Sequence, residues 1–153
     1  MPFVRCETRV IYGDTDQMGV VYYANYLRFF EKGRCEALRA CGVSYADVER
    51  DGFILPVVDV ACSYRSPARF DDLVVIETTI ARVSRIKVEF EYRVLRRTDD
   101  GREELLATGT TTHASLSRDM RPARIPSDFV ARLAPAMKDG VPVERAARPT
   151  TTP

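Results

Sequence analysis

Two acidic residues lie in a turn-prone stretch just ahead of a long apolar segment, and this arrangement suits hydrolysis of an activated carbonyl. Asp14 and Asp16 stand between Gly13 and Gly19, and the apolar segment begins at Tyr22. If that segment is a helix, its first backbone N–H groups have no internal acceptors, and its dipole favours negative charge nearby. Such amides stabilise a developing oxyanion, while a carboxylate held by the turn attacks the carbonyl carbon or deprotonates water.

A purely structural role is the alternative for both acids. Aspartate side chains in turns often bond neighbouring backbone amides, and we expect this role for Asp14. Gly19 has no Cβ, so its backbone can approach a ligand closely. From these residues alone, catalysis and turn formation both stay open for Asp16.

The single histidine of the chain, His113, restricts the mechanisms. A Ser-His-Asp triad, a zinc site with several histidines or a Cys-His pair would each depend on this one ring. Because His113 falls within a predicted strand, far along the sequence from the acids, we expect a structural role for it. The cysteines match no zinc motif, and we expect reduced, buried thiols. They are Cys6, Cys35, Cys41 and Cys62.

Hydrophobic periodicity predicts one strand followed by one long helix. Residues 3–12 alternate between apolar and polar side chains, as a half-buried strand does. Residues 22–41 change to the period of a helix that is apolar around much of its circumference, and Gly42 is a suitable end. Such a helix is expected to be central in the fold. Four of its aromatic side chains are expected in the core: Tyr22, Tyr26, Phe29 and Phe30.

The rest of the domain is predicted to consist of strands and a short terminal helix at residues 126–137. Strands are expected over residues 58–64, 73–84, 86–94 and 103–117. Residues 73–84 are apolar on both faces, which is typical of an interior strand. One helix and about five antiparallel strands predict an α+β domain in which the sheet wraps around the helix. We expect this domain to span residues 1–140, with a disordered tail at 141–153.

Composition excludes several classes of function. The 153 residues are 45% hydrophobic and 29% charged, as in an ordinary globular domain. The 23 basic and 22 acidic side chains nearly cancel, so no general field attracts nucleic acid or an anionic membrane. No apolar run is long enough to span a bilayer, and the first residues lack a signal-peptide core. We therefore expect a cytoplasmic protein.

The stretch from Gly13 to Tyr26 resembles the signature of a known family. The run Gly-Asp-Thr-Asp, then Gly-Val-Val-Tyr-Tyr-Ala-Asn-Tyr, then Phe-Phe-Glu at residues 29–31, is similar to that of hotdog-fold thioesterases. Within the hotdog-fold thioesterases, the resemblance is to the family of 4-hydroxybenzoyl-CoA thioesterase and the bacterial acyl-CoA thioesterases. Weaker matches follow in the same order at residues 64–72, Gly109 and residues 121–126. The resemblance covers about residues 4–130.

This resemblance implies a hotdog fold and an enzyme that hydrolyses acyl-CoA thioesters without a metal or cofactor. Asp16 occupies the position of the family's essential carboxylate, as nucleophile or as general base for water. Tyr23 occupies the position whose backbone N–H polarises the thioester carbonyl. Gly19 and Val20 are expected beside the substrate.

The same resemblance places Arg85 and Lys87 where the family binds the CoA phosphates. A solvated strand end explains these two residues equally well, and they would also suit the acidic surface of an acyl carrier protein. An acyl-carrier-protein thioesterase and a non-catalytic acyl-CoA-binding module are therefore the alternative functions. A hotdog dehydratase or hydratase is disfavoured, because those enzymes use a histidine near the helix and residues 1–112 contain none.

The resemblance further implies a homodimer or homotetramer, since hotdog domains pair their sheets edge to edge. Asp16 and Tyr23 of one chain are expected to face residues 56–63 of another. The expected partners are thus acyl-CoA and further copies of the chain, without nucleic acid and without membrane insertion.

Overall fold

The computed structural model describes residues 3–137, in which a sheet packs against one long helix. In chain order the elements are β1 (Val4–Arg9), α1 (Asn25–Ala40), α2 (Tyr45–Arg50), β2 (Phe53–Ile54), β3 (Val57–Tyr64), β4 (Leu73–Val83), β5 (Lys87–Arg97), β6 (Glu103–Ala114), β7 (Leu116–Ser117) and α3 (Ser127–Leu133). Short 3-10 turns occupy Tyr12–Asp14 and Ala134–Ala136. The predicted tail at 141–153 lies outside the described residues.

The main sheet has the strand order β1-β4-β5-β6-β3, and all neighbouring strands are antiparallel. Residues 74–78 of β4 are buried on both faces of the sheet, as predicted for an interior strand. β3 forms one edge, and seven of its eight residues are exposed. β2 and β7 form a separate two-stranded sheet. The prediction of an α+β domain with about five antiparallel strands and one long helix is confirmed.

Two glycines let α1 lie directly on the sheet. A Cβ at Gly33 would collide with Thr78 of β4, and a Cβ at Gly109 of β6 would collide with the Phe30 ring. That ring stacks on Tyr92 of β5 with 4.3 Å between centroids. The buried side of the helix consists of Tyr26, Phe29, Phe30, Gly33, Ala37 and Leu38. Close contact between helix and sheet therefore fixes the position of the helix start.

Two expectations about the ends of these elements are wrong. The helix begins at Asn25 rather than at residue 22, because the preceding residues form a turn. Tyr22 is consequently 43% exposed and lies outside the core. The first strand, β1, ends at Arg9 rather than at residue 12. Tyr12 is 74% exposed, and its ring stacks on Phe70 at the surface.

The four cysteines are free thiols, each partly buried, which agrees with the expected reduced state. Within residues 3–137, the helices are all too short or too polar to cross a membrane.

Candidate active site

A tight loop between β1 and α1 positions the Asp16 carboxylate. Thr15 and Val21 pair across the loop in an isolated antiparallel bridge. Between them, the Asp16 N–H donates to the Val20 carbonyl at 2.9 Å, and the Asp16 carbonyl accepts from the Gly19 N–H at 3.0 Å. Gly19 has φ +78°, a left-handed conformation that glycine adopts without strain. The loop is thus closed by backbone bonds in which the Asp16 side chain takes no part.

Asp14 connects this loop to the start of the helix. Its Oδ2 accepts from the Ile11 N–H at 3.0 Å. Its carbonyl accepts from the Tyr22 N–H at 2.9 Å and from Asn25 Nδ2 at 2.8 Å. Because Asn25 is the first residue of α1, these bonds fix the loop relative to the helix end. This geometry supports the structural role expected for Asp14.

The Asp16 carboxylate lies on the wall of an open cavity of about 280 Å³. Its Oδ1 accepts from the Met18 N–H at 2.9 Å, so one carboxylate oxygen is held by the loop itself. Val20 and Tyr23 line the same cavity. Three of the residues predicted for the site are therefore brought together, while Gly19 shapes the loop behind them.

Backbone N–H groups without acceptors lie at the start of α1. The Asn25 N–H donates to the Tyr22 carbonyl at 2.8 Å, and the Tyr26 N–H donates to the Tyr23 carbonyl at 3.3 Å. In the described part of the chain, the N–H groups of Tyr23 and Ala24 donate to no acceptor. No side chain caps this helix end. Two donors are therefore available beside the Asp16 cavity for an oxygen that gains negative charge.

Tyr64, the last residue of β3, forms a hydrogen bond with the turn that precedes α1. It was not among the predicted site residues. Its O–H donates to the Tyr23 carbonyl at 2.9 Å, and its ring meets Tyr26 edge to face at 5.0 Å. Desolvation of the hydroxyl and a hydrogen bond with Cys62 raise the pKa of Tyr64 to about 12. The hydroxyl is therefore protonated at neutral pH and acts as a donor. The sequence signal that could have identified Tyr64 as a site residue is its position at the start of residues 64–72, the second segment that resembles the family.

Arg85 lies in a different cavity from Asp16. This cavity of about 590 Å³ is lined by Arg85, by Arg124 and by residues at the start of α3. The Ile125 N–H donates to the Arg85 carbonyl at 2.7 Å, which joins two segments distant in sequence. Lys87 is exposed at the start of β5 and does not line this cavity. Arg124 was missed at the sequence level, although it falls within the match at residues 121–126.

His113 belongs to a buried network outside both cavities. Its Nδ1 lies 2.9 Å from the Leu55 carbonyl, and its Nε2 lies 2.9 Å from Thr111 Oγ1. Because a carbonyl only accepts, Nδ1 carries the proton and Nε2 accepts from Thr111. Burial lowers the pKa of His113, so the ring is neutral at pH 7. The bonds to both nitrogens support the expected structural role.

Comparisons with known proteins agree with these observations. Residues 10–133 match the thioesterase-like superfamily. The chain is 34% identical over 113 residues to YneP of Bacillus subtilis, a match that covers 74% of this chain and 79% of YneP. It is 40% identical over 91 residues to the acyl-CoA thioesterase YbgC of Haemophilus influenzae, covering 59% and 67% of the two chains. The fold is similar to that of a DHNA-CoA thioesterase from Staphylococcus aureus, with a TM-score of 0.78, 30% identity and coverage of 85% and 87%.

The buried, neutral state of His113 predicts that the protein loses stability as the pH falls below about 6.5. The pKa of His113 is lower in the folded than in the unfolded chain, so the unfolded chain takes up the proton first. The free energy of unfolding should fall by up to about 1.4 kcal/mol per pH unit between pH 6.5 and 5.5. Urea denaturation at several pH values measures this slope.

The His113→Gln variant is the control, because no other side-chain type has an unperturbed pKa in this window. The variant should be less stable at pH 7 and should show a much shallower slope. A slope identical to that of the wild type would contradict the assignment to His113.

Proposed function

This chain belongs to the thioesterase-like superfamily and is a thioester hydrolase of the hotdog fold, and we propose that it hydrolyses acyl-CoA with Asp16 as the catalytic carboxylate. The observation that carries the proposal is the cavity that Asp16 and Tyr23 both line. Asp16 carries the carboxylate, and Tyr23 carries one of the two unpaired N–H groups at the helix start. This is the arrangement that attack on a carbonyl requires.

In the proposed mechanism the thioester oxygen accepts hydrogen bonds from the Tyr23 and Ala24 N–H groups, which stabilise the negative charge it gains. Asp16 either takes a proton from water, which adds to the carbonyl carbon, or attacks that carbon itself. In the second route water then cleaves the resulting anhydride. Both routes release the acid and the CoA thiolate, and a thiolate leaves without help from a strong general acid.

Replacing Asp16 with asparagine should reduce kcat at least a hundredfold, about 3 kcal/mol of barrier. Asparagine keeps the side-chain oxygen that accepts from Met18, so the loop should keep its shape, whereas the nucleophile or base is lost. Thiol release from a panel of acyl-CoA substrates measures the effect. Asp119→Asn, at an exposed position, is the matched control.

Activity of Asp16→Asn within a few-fold of the wild type would remove Asp16 from its role. A wild-type protein that binds acyl-CoA but releases no thiol would instead favour the non-catalytic binding module.

We assign Tyr64 a positioning role in the same mechanism. Its hydroxyl bonds the carbonyl of the Tyr23–Ala24 peptide, and the N–H of that peptide belongs to Ala24. A bond to the carbonyl fixes the plane of the peptide and polarises it, which makes the N–H a stronger donor. Tyr64 therefore acts through the backbone and not as an acid or base.

Tyr64→Phe should lower kcat about fivefold, since one neutral hydrogen bond contributes about 1 kcal/mol. KM and thermal stability should change little, because the ring and its packing on Tyr26 remain. Steady-state kinetics and thermal unfolding separate these effects, with the exposed Tyr12→Phe as control. A loss of stability with unchanged kcat would show that the hydroxyl is merely structural.

We propose that the cavity between Arg85 and Arg124 binds the CoA phosphates. Two guanidinium groups beside one open cavity suit phosphate oxygens, which accept charge-assisted hydrogen bonds. Lys87 lies outside the lining of this cavity, so the structure offers no support for its expected contact with the phosphates. An acyl carrier protein stays the alternative carrier, and the cytoplasmic location stays a prediction.

Arg85→Ala and Arg124→Ala should each raise KM for acyl-CoA about tenfold with kcat unchanged, as expected for the loss of one charge-assisted bond. The same variants should leave hydrolysis of an acyl-N-acetylcysteamine unaffected, since this thioester has no phosphates. The exposed Arg132→Ala is the control on α3. An equal loss on both substrates would argue against phosphate binding, and a larger loss on acyl-carrier-protein thioesters would favour that carrier.

The free edge of the sheet supports a homodimer, which we propose as the minimal assembly. Within the described residues, β3 pairs on one side only, with β6. Its exposed side chains include Val57, Val58 and Val60. An apolar, unpaired edge strand of eight residues is a template for pairing with another strand, and a second copy of β3 supplies one.

Sedimentation analysis should therefore give the mass of two or four 17.3 kDa chains. Val60→Lys, near the middle of β3, should shift the protein to monomers, because the two introduced charges would lie close together at the seam. Thr110→Lys, exposed on the neighbouring strand, is the matched control. A monodisperse and fully active wild-type monomer would overturn the proposed dimer.

A further inference from the structure

Arg96 of β5 is not part of the lining of the Asp16 cavity, yet its guanidinium bonds the loop that forms one wall of that cavity. This loop, residues 65–72, connects β3 to β4, and we call it the β3–β4 loop. Its first three residues line the Asp16 cavity. The contacts of Arg96 therefore bear on the shape of the proposed active site.

One guanidinium joins both ends of the β3–β4 loop to the sheet. Its Nη1 donates to the Pro67 carbonyl at 3.1 Å and to Asp72 Oδ2 at 3.1 Å. The same Asp72 oxygen accepts from the Arg69 N–H at 2.8 Å. On the other side, Nη2 of Arg96 bonds the carboxylate of Glu104 on β6. A planar group with several fixed donors can satisfy these acceptors together, whereas the single ammonium of a lysine cannot.

The ion pair between Arg96 and Asp72 is more shielded from solvent than the next ion pair on the same strand. The Arg96 side chain is 20% exposed and the Asp72 side chain 23% exposed. The neighbouring pair joins Arg97 to Glu7, whose side chains are 32% and 48% exposed. Water screens the more buried pair less, and the loss of one partner there leaves the other charge without compensation. The Arg96 pair is therefore the stronger constraint of the two.

The peptide that Arg96 holds contacts both halves of the proposed site. The Pro67 carbonyl and the Ala68 N–H belong to one peptide unit, and Ala68 is completely buried. The Ala68 N–H donates to the hydroxyl of Tyr26, in the first turn of α1, at 3.4 Å. The Ala68 carbonyl accepts from the Val21 N–H, next to the Asp16 loop, at 2.8 Å. A bond to the Pro67 carbonyl thus fixes the plane from which both contacts extend.

The β3–β4 loop is also what connects residues 16–21 to the rest of the domain. Within the described chain, the backbone bonds and bridges that residues 16–21 form outside residues 12–26 go to Ala68 and Arg69. The Val21 N–H bonds the Ala68 carbonyl, and Val20 pairs with Arg69 in an isolated bridge. The position of the Asp16 carboxylate therefore depends on the β3–β4 loop.

We propose that Arg96 is a positioning residue for thioester hydrolysis, since it fixes the β3–β4 loop and that loop fixes Asp16 relative to the first turn of α1. This inference rests on the proposed function of Asp16. Arg96 acts through two backbone contacts and touches no reacting atom, so it affects the rate of the chemical step and not the binding of acyl-CoA. A displacement of a reacting group by about 1 Å lowers a rate by up to about a hundredfold.

Arg96→Lys tests the proposal, because lysine keeps the charge and the length of the side chain but loses the planar group. It should lower kcat about tenfold and change KM less than about twofold, for the acyl-CoA that the wild type hydrolyses fastest. Arg97→Lys, at the next residue of β5, is the matched control and should keep the wild-type kcat. Thiol release gives both constants, and urea denaturation gives the stability of each variant.

The same substitution in the Asp16→Asn protein separates positioning from a general effect on the fold. If Arg96 acts through Asp16, Arg96→Lys should lower the residual rate of Asp16→Asn by less than about twofold, because the group that it positions is already absent. An equal loss in both backgrounds would show that Arg96 is merely structural and would overturn the proposal.

A wild-type kcat in Arg96→Lys, with Asp16→Asn inactive, would overturn the proposal as well. Activity of Asp16→Asn close to that of the wild type would instead contradict the catalytic carboxylate itself. The failure of this inference and the failure of the proposed function are therefore distinguishable.

Asp72→Ala tests the same contact from the loop and leaves β5 unchanged. It removes the acceptor at the end of the β3–β4 loop, so it should also lower kcat with little change in KM. Combined with Arg96→Lys, it should add less than its own separate effect, because both substitutions break one contact. Asp99→Ala, at an exposed position in the turn after β5, is the control. A folded Asp72→Ala protein with the wild-type kcat would contradict the route through this loop.

Discussion

Backbone hydrogen bonds between the loop after β1 and the first turn of α1 decide where the reacting groups lie. The carbonyl of Asp14 is bonded to both the backbone of Tyr22 and the side chain of Asn25, so loop and helix cannot move independently. The same bonds leave the N–H groups of Tyr23 and Ala24 unused in the described chain. In the proposed mechanism a developing oxyanion is the partner for these donors, and the same loop holds the carboxylate of Asp16 that would generate it.

Contacts with the sheet hold the start of α1 in place. Gly33 and Gly109 allow the helix to approach the strands, and Tyr64 bonds the helix start from the edge strand. None of these residues carries out the chemistry. They hold the peptide planes of the helix start, and an oxyanion site of backbone amides depends on the orientation of those planes. In the proposed mechanism, catalysis therefore depends on the packing between helix and sheet.

The site is open on one side in a single chain. The Asp16 cavity is open to solvent next to Tyr64 at the end of the edge strand β3. An open site lets water screen the charges that the proposed mechanism uses, whereas the proposed pairing through β3 would reduce the access of water to this side of the Asp16 cavity. In this proposal, assembly and exclusion of water are connected through one strand.

Hydrophobic periodicity was sufficient to predict the long helix and the main strands, and the motif was sufficient to place Asp16 in the loop before the helix. They failed where the outcome depends on contacts between distant segments. Tyr22 follows the helical pattern, yet the chain turns there because its N–H is taken by Asp14. Arg124 and Arg85 meet only because two loops pair, and no local pattern records that pairing. The hydroxyl of Tyr64 likewise acquires its role only from tertiary packing.

A crystal structure of the Asp16→Asn protein with bound octanoyl-CoA tests the central arrangement most directly. The thioester oxygen should lie about 2.7–3.1 Å from the N–H nitrogens of Tyr23 and Ala24, with the residue 16 side chain facing the carbonyl carbon. A thioester bound with its carbonyl away from the start of α1, or with residue 16 turned out of reach of the carbon, would contradict the mechanism.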